Sequence, residues 1–86
     1  MSDEKLIAIA TEHTRAIFNA PDLVYDPGLV FQNIRGFDSV VAVQFILAIE
    51  GAFNIMIAEE EVDNMNTMGD LINTLRAKVQ PSEAVA

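Results

Sequence analysis

Apolar positions recur at helical spacing in three stretches of this chain, and strand-like alternation is absent. Leu6, Ile9, Ala10, His13 and Ile17 fall three or four residues apart, with Ile7 and Phe18 beside them. Ser2 ahead of them is a favoured cap, and Asp3 and Glu4 occupy the first turn, where the helix dipole favours acids. This predicts a first helix that fades near Asn19 to Pro21. A second helix is predicted from Ser39 to about Phe53, with Ala42, Phe45, Ile46, Ile49 and Phe53 as one core stripe. The last helix starts at Asn66 or Thr67 and turns Met68, Leu71, Ile72, Leu75 and Val79 inward. Thr67 and Asp70 have capping-box spacing, Arg76 and Lys78 suit the negative end of the dipole, and Gln80-Pro81 stops the helix. Glu59-Glu60-Glu61-Val62-Asp63 predicts one or two acidic helical turns. The class is all-α: a four-helix bundle of three main helices and one short third helix.

Between the first two long helices lies a connection of residues 19–37, punctuated by Pro21, Pro27 and Gly28. It is not a polar linker. Leu23, Val24, Tyr25, Leu29, Val30, Phe31 and Ile34 fall within it and predict a loop anchored over the helices. Met56, Met65 and Met68 read as adaptable gap-fillers of the core, or as the lining of a deformable cavity for apolar cargo. With 86 residues, the chain makes one domain, placed over 1–80, with 81–86 as a disordered tail.

The second helix departs from ordinary amphipathicity. Its outer positions, read as Val40, Val41, Gln44, Leu47 and Ala48, carry no charge, and Glu50 is the sole charged residue from Ser39 to Ala58. A helix apolar all round is buried or presents a docking face, and a domain this small favours the docking face. The stretch has the length of a membrane span, but a mid-span acid costs about 2.5–3.5 kcal/mol on insertion, and Gln44 and Asn54 add to that. It therefore reads as a helix followed by a loop. Met1-Ser2-Asp3-Glu4-Lys5 has no signal-peptide pattern, which makes the cytoplasm the expected location.

Thirteen acids against five bases give a net charge of −8, which excludes nucleic acid as a partner. There is no cysteine, so any thiol chemistry must arrive on a prosthetic group. His13 stands alone and reads as structural, with no serine–histidine–acid arrangement to join. The acidic run 59–63 lacks the ligand spacing and glycine of a calcium loop and reads as a solvated face, with a weak divalent-cation site as the alternative. No catalytic residue and no metal ligand is assigned. What remains is Asp38-Ser39, at the start of the uncharged helix and just after Gly36. Both residue types are good caps, so the pair alone is a weak signal.

Several segments in order make a stronger one: Gly36-Phe37-Asp38-Ser39-Val40, then Ala48-Ile49-Glu50-Gly51-Ala52-Phe53-Asn54-Ile55, then Ile57-Ala58-Glu59-Glu60-Glu61, then Asn66-Thr67-Met68-Gly69-Asp70-Leu71. Over Ile34 to Val79 the chain resembles the acyl carrier proteins of the phosphopantetheine-binding carrier family. The resemblance implies a right-handed bundle of four helices and no catalysis by the protein itself. It implies that a phosphopantetheinyl transferase moves 4′-phosphopantetheine from coenzyme A onto Ser39, with Asp38 as the supporting residue of the motif. The arm's thiol then holds acyl groups as thioesters for loading and processing enzymes, which read the second helix through Val40, Val41, Gln44, Leu47 and Glu50. The protein is expected to be a monomer.

Two positions depart from the family pattern. Val40 stands where leucine is usual after the serine, and the second helix lacks the several acids typical of general fatty acid carriers. The departure implies a specialised carrier whose partners dock by apolar contact. Fatty acyl, polyketide, aminoacyl and peptidyl cargo all stay open. The alternative from another class is an unmodified helical adaptor that docks through the second helix.

Overall fold

The computed structural model describes residues 2–79; the predicted stop at Gln80-Pro81 and the tail 81–86 lie outside them. Four helices follow in order: α1 (Asp3–Ile17), α2 (Ser39–Phe53), α3 (Glu59–Asp63) and α4 (Met68–Lys78). Among the described residues there is no β-strand, only an isolated antiparallel bridge between Val30 and Thr67. α1 packs against both α2 and α4. Leu6 and Ala10 of α1, Phe45, Ile49 and Phe53 of α2, and Met68, Leu71, Ile72 and Leu75 of α4 close one core.

The three long helices each begin where the sequence offers an acceptor. Ser2 accepts from Lys5 N–H at 3.2 Å and Asp38 from Val41 N–H at 2.8 Å. At α4 the Thr67 hydroxyl accepts from Asp70 N–H, while the Asp70 carboxylate accepts from Asn66 and Thr67 N–H. Those two N–H groups, Asn66 first, hold the Asp70 carboxyl below its ordinary value. The helix ends follow the same economy. Asn19 and Asn54, just past α1 and at the end of α2, take the left-handed conformation that asparagine tolerates.

The long loop is held by more than apolar anchors. Phe31 and Ile34 are buried, and Leu23, Tyr25 and Leu29 pack against the core, but Val24 is 71% exposed. A 3-10 turn at Phe31–Asn33, absent from the sequence reading, swings Phe31 inward. The backbone supplies the rest. Met68 N–H donates to Leu29 O, Gly69 N–H to Pro27 O and Phe31 N–H to Asn66 O, at 2.9–3.1 Å. The first N–H groups of α4, which no helix can satisfy internally, are thereby taken up by the loop. Gly69 permits this approach, since a Cβ there would lie 2.8 Å from Pro27 O.

Two parts of the predicted core differ. On α1, Ile9, His13 and Ile17 are only half-buried, and Thr11 and Thr14 take the inner line with Leu6 and Ala10. Thr14 can be buried because its hydroxyl donates to Ala10 O one turn back, at 2.7 Å. Of the three methionines, Met68 is core and Met65 half-buried, while Met56 is 84% exposed, because it lies in the connection after α2.

The Thr11 hydroxyl is buried without a hydrogen-bond partner. Removing an unsatisfied polar atom without changing the side chain's shape is favourable, so Thr11→Val raises the unfolding free energy by roughly 1 kcal/mol in urea titration. An unchanged or lower urea midpoint would contradict this.

Candidate functional site

The end of the long loop determines where Ser39 sits. Gly36 turns the chain with φ +88°, a conformation that favours glycine. Phe37 then lies against Phe18 with ring centroids 6.1 Å apart and planes within 11°. This stack fixes the residue just before the cap. Asp38 follows in extended backbone, and its carboxylate accepts from Val41 N–H. Ser39 is therefore the first residue of α2, exposed, and its hydroxyl has no hydrogen-bond partner among the described residues. The N–H groups of Ser39 and Val40 also have no acceptor there. Asp38 thus serves as a helix cap while leaving its neighbour's hydroxyl free.

Ser39, Ala42 and Ile46 are spaced three and four apart, along one side of α2. Ala42 and Ile46 line a cavity of about 210 Å³. Its other walls are Phe18, Phe31, Gln32 and Phe37 from the loop side, Phe45 of α2, and Val62, Asp63, Met65 and Asn66 from α3 and the segment after it. Phe45 meets Phe18 and Phe31 at 5.5 and 5.4 Å, so an aromatic cluster forms the inner wall. The cavity is apolar on most sides, and Met65 supplies the adaptable lining expected of a methionine.

On the outer side of α2 the structure redraws the predicted docking face. Val40 is 64% exposed, Leu47 61%, and Gln44 is exposed as well. Val41 does not belong with them: it is half-buried and packs against the core. Each residue turns the helix by about 100°, and that turn carries Val41 from the exposed strip round to the core side. Val43, which the sequence reading omitted, stands 59% exposed in its place. Ala48 is half-buried. Val40, Val43 and Leu47 follow i, i+3, i+7, a spacing that groups the three on one side of α2 without saying that this side is exposed. Glu50 also departs from the expected docking acid. It is half-buried, and its carboxylate accepts from Ile57 N–H at 2.8 Å.

Among the described residues no three of the histidine and carboxylate side chains converge as a metal site. Glu61 of the acidic run pairs with Lys78. His13 stays on α1, half-buried. No described helix is long and apolar enough to cross a membrane.

Known proteins match this region of the chain. Residues 31–75, just over half of the chain, match the family described as the phosphopantetheine attachment site. The chain belongs to that family. It is also similar to the acyl carrier protein of Prochlorococcus marinus (strain MIT 9515), at 40% identity over 48 residues. That similarity takes in 56% of this chain and 60% of the relative's length. The family region opens at Phe31 of the 3-10 turn and closes at Leu75 of α4, so it includes the loop end, all of α2 and α3 and every cavity wall except Phe18. The prosthetic group of this family is 4′-phosphopantetheine. The site fits such a group: it offers a free hydroxyl, and the open N–H groups of α2's first turn would suit a phosphodiester beside it.

Asp38→Ala removes the α2 cap and lowers stability by about 1 kcal/mol in urea unfolding. Asp38→Asn keeps an acceptor oxygen and stays within a few tenths of a kcal/mol of the parent. Equal losses in the two variants would show that the carboxylate is not acting as a cap.

Proposed function

We propose that Ser39 is the residue that receives 4′-phosphopantetheine and that the protein is a non-catalytic acyl carrier. A separate phosphopantetheinyl transferase supplies the catalysis. The Ser39 Oγ–phosphorus bond forms, the pyrophosphate bond of coenzyme A breaks, 3′,5′-ADP leaves, and the hydroxyl proton passes to the transferase. Once attached, the arm supplies the thiol that the cysteine-free chain lacks, for carrying acyl groups as thioesters. The observation that carries this reading is the exposed, unpartnered Ser39 hydroxyl beside its capping aspartate, inside the region matching the family.

The rest of the molecule supports carriage. The cavity lies on the same side of α2 as Ser39 and offers an apolar cargo a largely apolar lining. This favours acyl over aminoacyl cargo and a place in fatty acid, polyketide or related biosynthesis, in the cytoplasm where coenzyme A is available. A tether at a helix start, clear of the core, raises the cargo's effective concentration at each enzyme that docks. Docking falls to Val40, Val43, Gln44 and Leu47, because an enzyme reaching Ser39 must cover the helix that begins there. These positions are uncharged, which suits a specialised carrier better than one read by basic patches.

Incubation with coenzyme A and a promiscuous transferase should add the mass of one phosphopantetheine to the parent chain and none to Ser39→Ala. No adduct on the parent, or an adduct surviving the substitution, would overturn the assignment. A parent without an adduct would favour the unmodified adaptor, for which the exposed apolar face of α2 also speaks.

Val43→Glu and Leu47→Glu should each raise the KM of an enzyme acting at Ser39 by about tenfold, as charge placed in a buried apolar contact does. The parent's KM should change less than about twofold between low and moderate salt, because the face brings no ion pair. Steep salt dependence would count against apolar docking.

A further inference from the structure

Helix α2 carries its one charge where its own dipole opposes it. Glu50 lies in the last turn, at the negative end. The structure gives that charge an internal partner. Ile57 N–H donates to Glu50 Oε2 at 2.8 Å, and the Glu50 carbonyl accepts from Asn54 and Ile55 N–H. Glu50 thus holds three of the next seven residues.

The adjacent N–H is held by a second acid. Ala58 N–H donates to Glu61 Oε1 at 2.9 Å, and the same oxygen lies 2.9 Å from Lys78 Nζ of α4. The Lys78 ammonium first, and the Ala58 N–H after it, keep the Glu61 carboxyl below its ordinary value. Two consecutive backbone N–H groups at the entrance of α3 are therefore gripped by two carboxylates. One is rooted in α2, the other in α3 and tied to α4.

α3 needs such a grip. It has five residues, none of them fully buried, and of these only Val62 packs against the core, so helix propagation and core packing hold it weakly. Yet Val62 and Asp63 of α3, with Met65 just beyond, wall the cavity. Ile57, buried at the clamped pair, is the core anchor of the connection that leads into it.

We propose that Glu50 is a positioning residue that holds α3 as the movable wall of the cavity. This rests on the reading that cargo attached at Ser39 enters that cavity. Glu50 is then not a docking acid for basic partners, and Glu61 with Lys78 is its counterpart on the far side of the connection. Opening the cavity means stretching the Glu50–Ile57 bond, so its strength sets how readily cargo is enclosed or released.

The test starts with the unmodified chain and compares parent, Glu50→Gln and Glu50→Ala by amide hydrogen exchange. Glutamine keeps an acceptor oxygen at the same reach and loses the charge; alanine loses both. Ile57 N–H should exchange about ten- to a hundredfold faster in Glu50→Ala, the loss expected for a hydrogen bond to a charged group, and at an intermediate rate in Glu50→Gln. Leu71 and Leu75 N–H in the core should keep their parent rates. The second measurement uses the octanoyl-loaded forms. Thioester hydrolysis should be several-fold faster in Glu50→Ala than in the parent, with glutamine restoring most of the protection.

Parent-like Ile57 exchange in Glu50→Ala would overturn the clamp, and that measurement needs no modification at Ser39, so it stands apart from the carrier reading. Equal thioester lifetimes in all three proteins, with Ile57 exposed in Glu50→Ala, would overturn the link to the cavity. A transferase KM raised equally by glutamine and alanine, with Ile57 still protected in the glutamine variant, would restore Glu50 as a docking acid.

Discussion

The backbone bonding between the long loop and the start of α4 is the constraint on which the arrangement rests. Helix α4 begins with N–H groups that need acceptors, and the loop carries carbonyls that need donors. Met68 and Gly69 give theirs to Leu29 and Pro27, and Asn66 accepts from Phe31. Each side resolves the other's unsatisfied backbone, which would otherwise be costly near the core. Nineteen residues of connection would be a large entropic burden if free. Pinned at its middle, the loop has only a short remaining path to α2. It enters that helix through the Phe37–Phe18 stack and the turn at Gly36. The exposed hydroxyl of Ser39 follows from a loop tied down behind it.

The same division between held and free groups runs through the site. Asp38 is bound to Val41 N–H, whereas the Ser39 hydroxyl beside it is bound to nothing among the described residues. Glu50 is bound to Ile57 N–H, whereas Val40, Val43 and Leu47 on the same helix are bare. Capping groups and the acid are engaged in holding the scaffold. The groups left open are one hydroxyl and an uncharged strip. That inventory suits a protein that is modified, carries a load and is gripped by others, in keeping with its family.

Much of this was legible in the residues themselves. Ser39 and Phe53 as the bounds of α2 followed from a cap and a clean stripe of Phe45, Ile49 and Phe53. Ser2, Thr67 and Asp70 announced the other starts because capping depends on neighbours within four residues. What was misread depends on partners further away. Threonine at 11 and 14 is buried on α1 because of where α2 and α4 lie, although His13 and Ile17 fit the spacing equally well. Val41 was read as outward and is inward, since residue type does not say which side of an all-apolar helix meets the core.

Local order, then, was set by the sequence: the four helices, their caps and the motif Asp38-Ser39, all governed by interactions a few residues in range. Only the tertiary structure decided which apolar residues of α2 stay exposed, that Glu50 is occupied by Ile57, and that Phe18, Phe37 and Met65 enclose a cavity beside Ser39. Those outcomes need groups from distant segments brought together. A hydrogen bond seven residues on, or a wall shared by α1's end, the loop and α3, has no signature in spacing. It exists once the loop and α4 have satisfied one another's backbone.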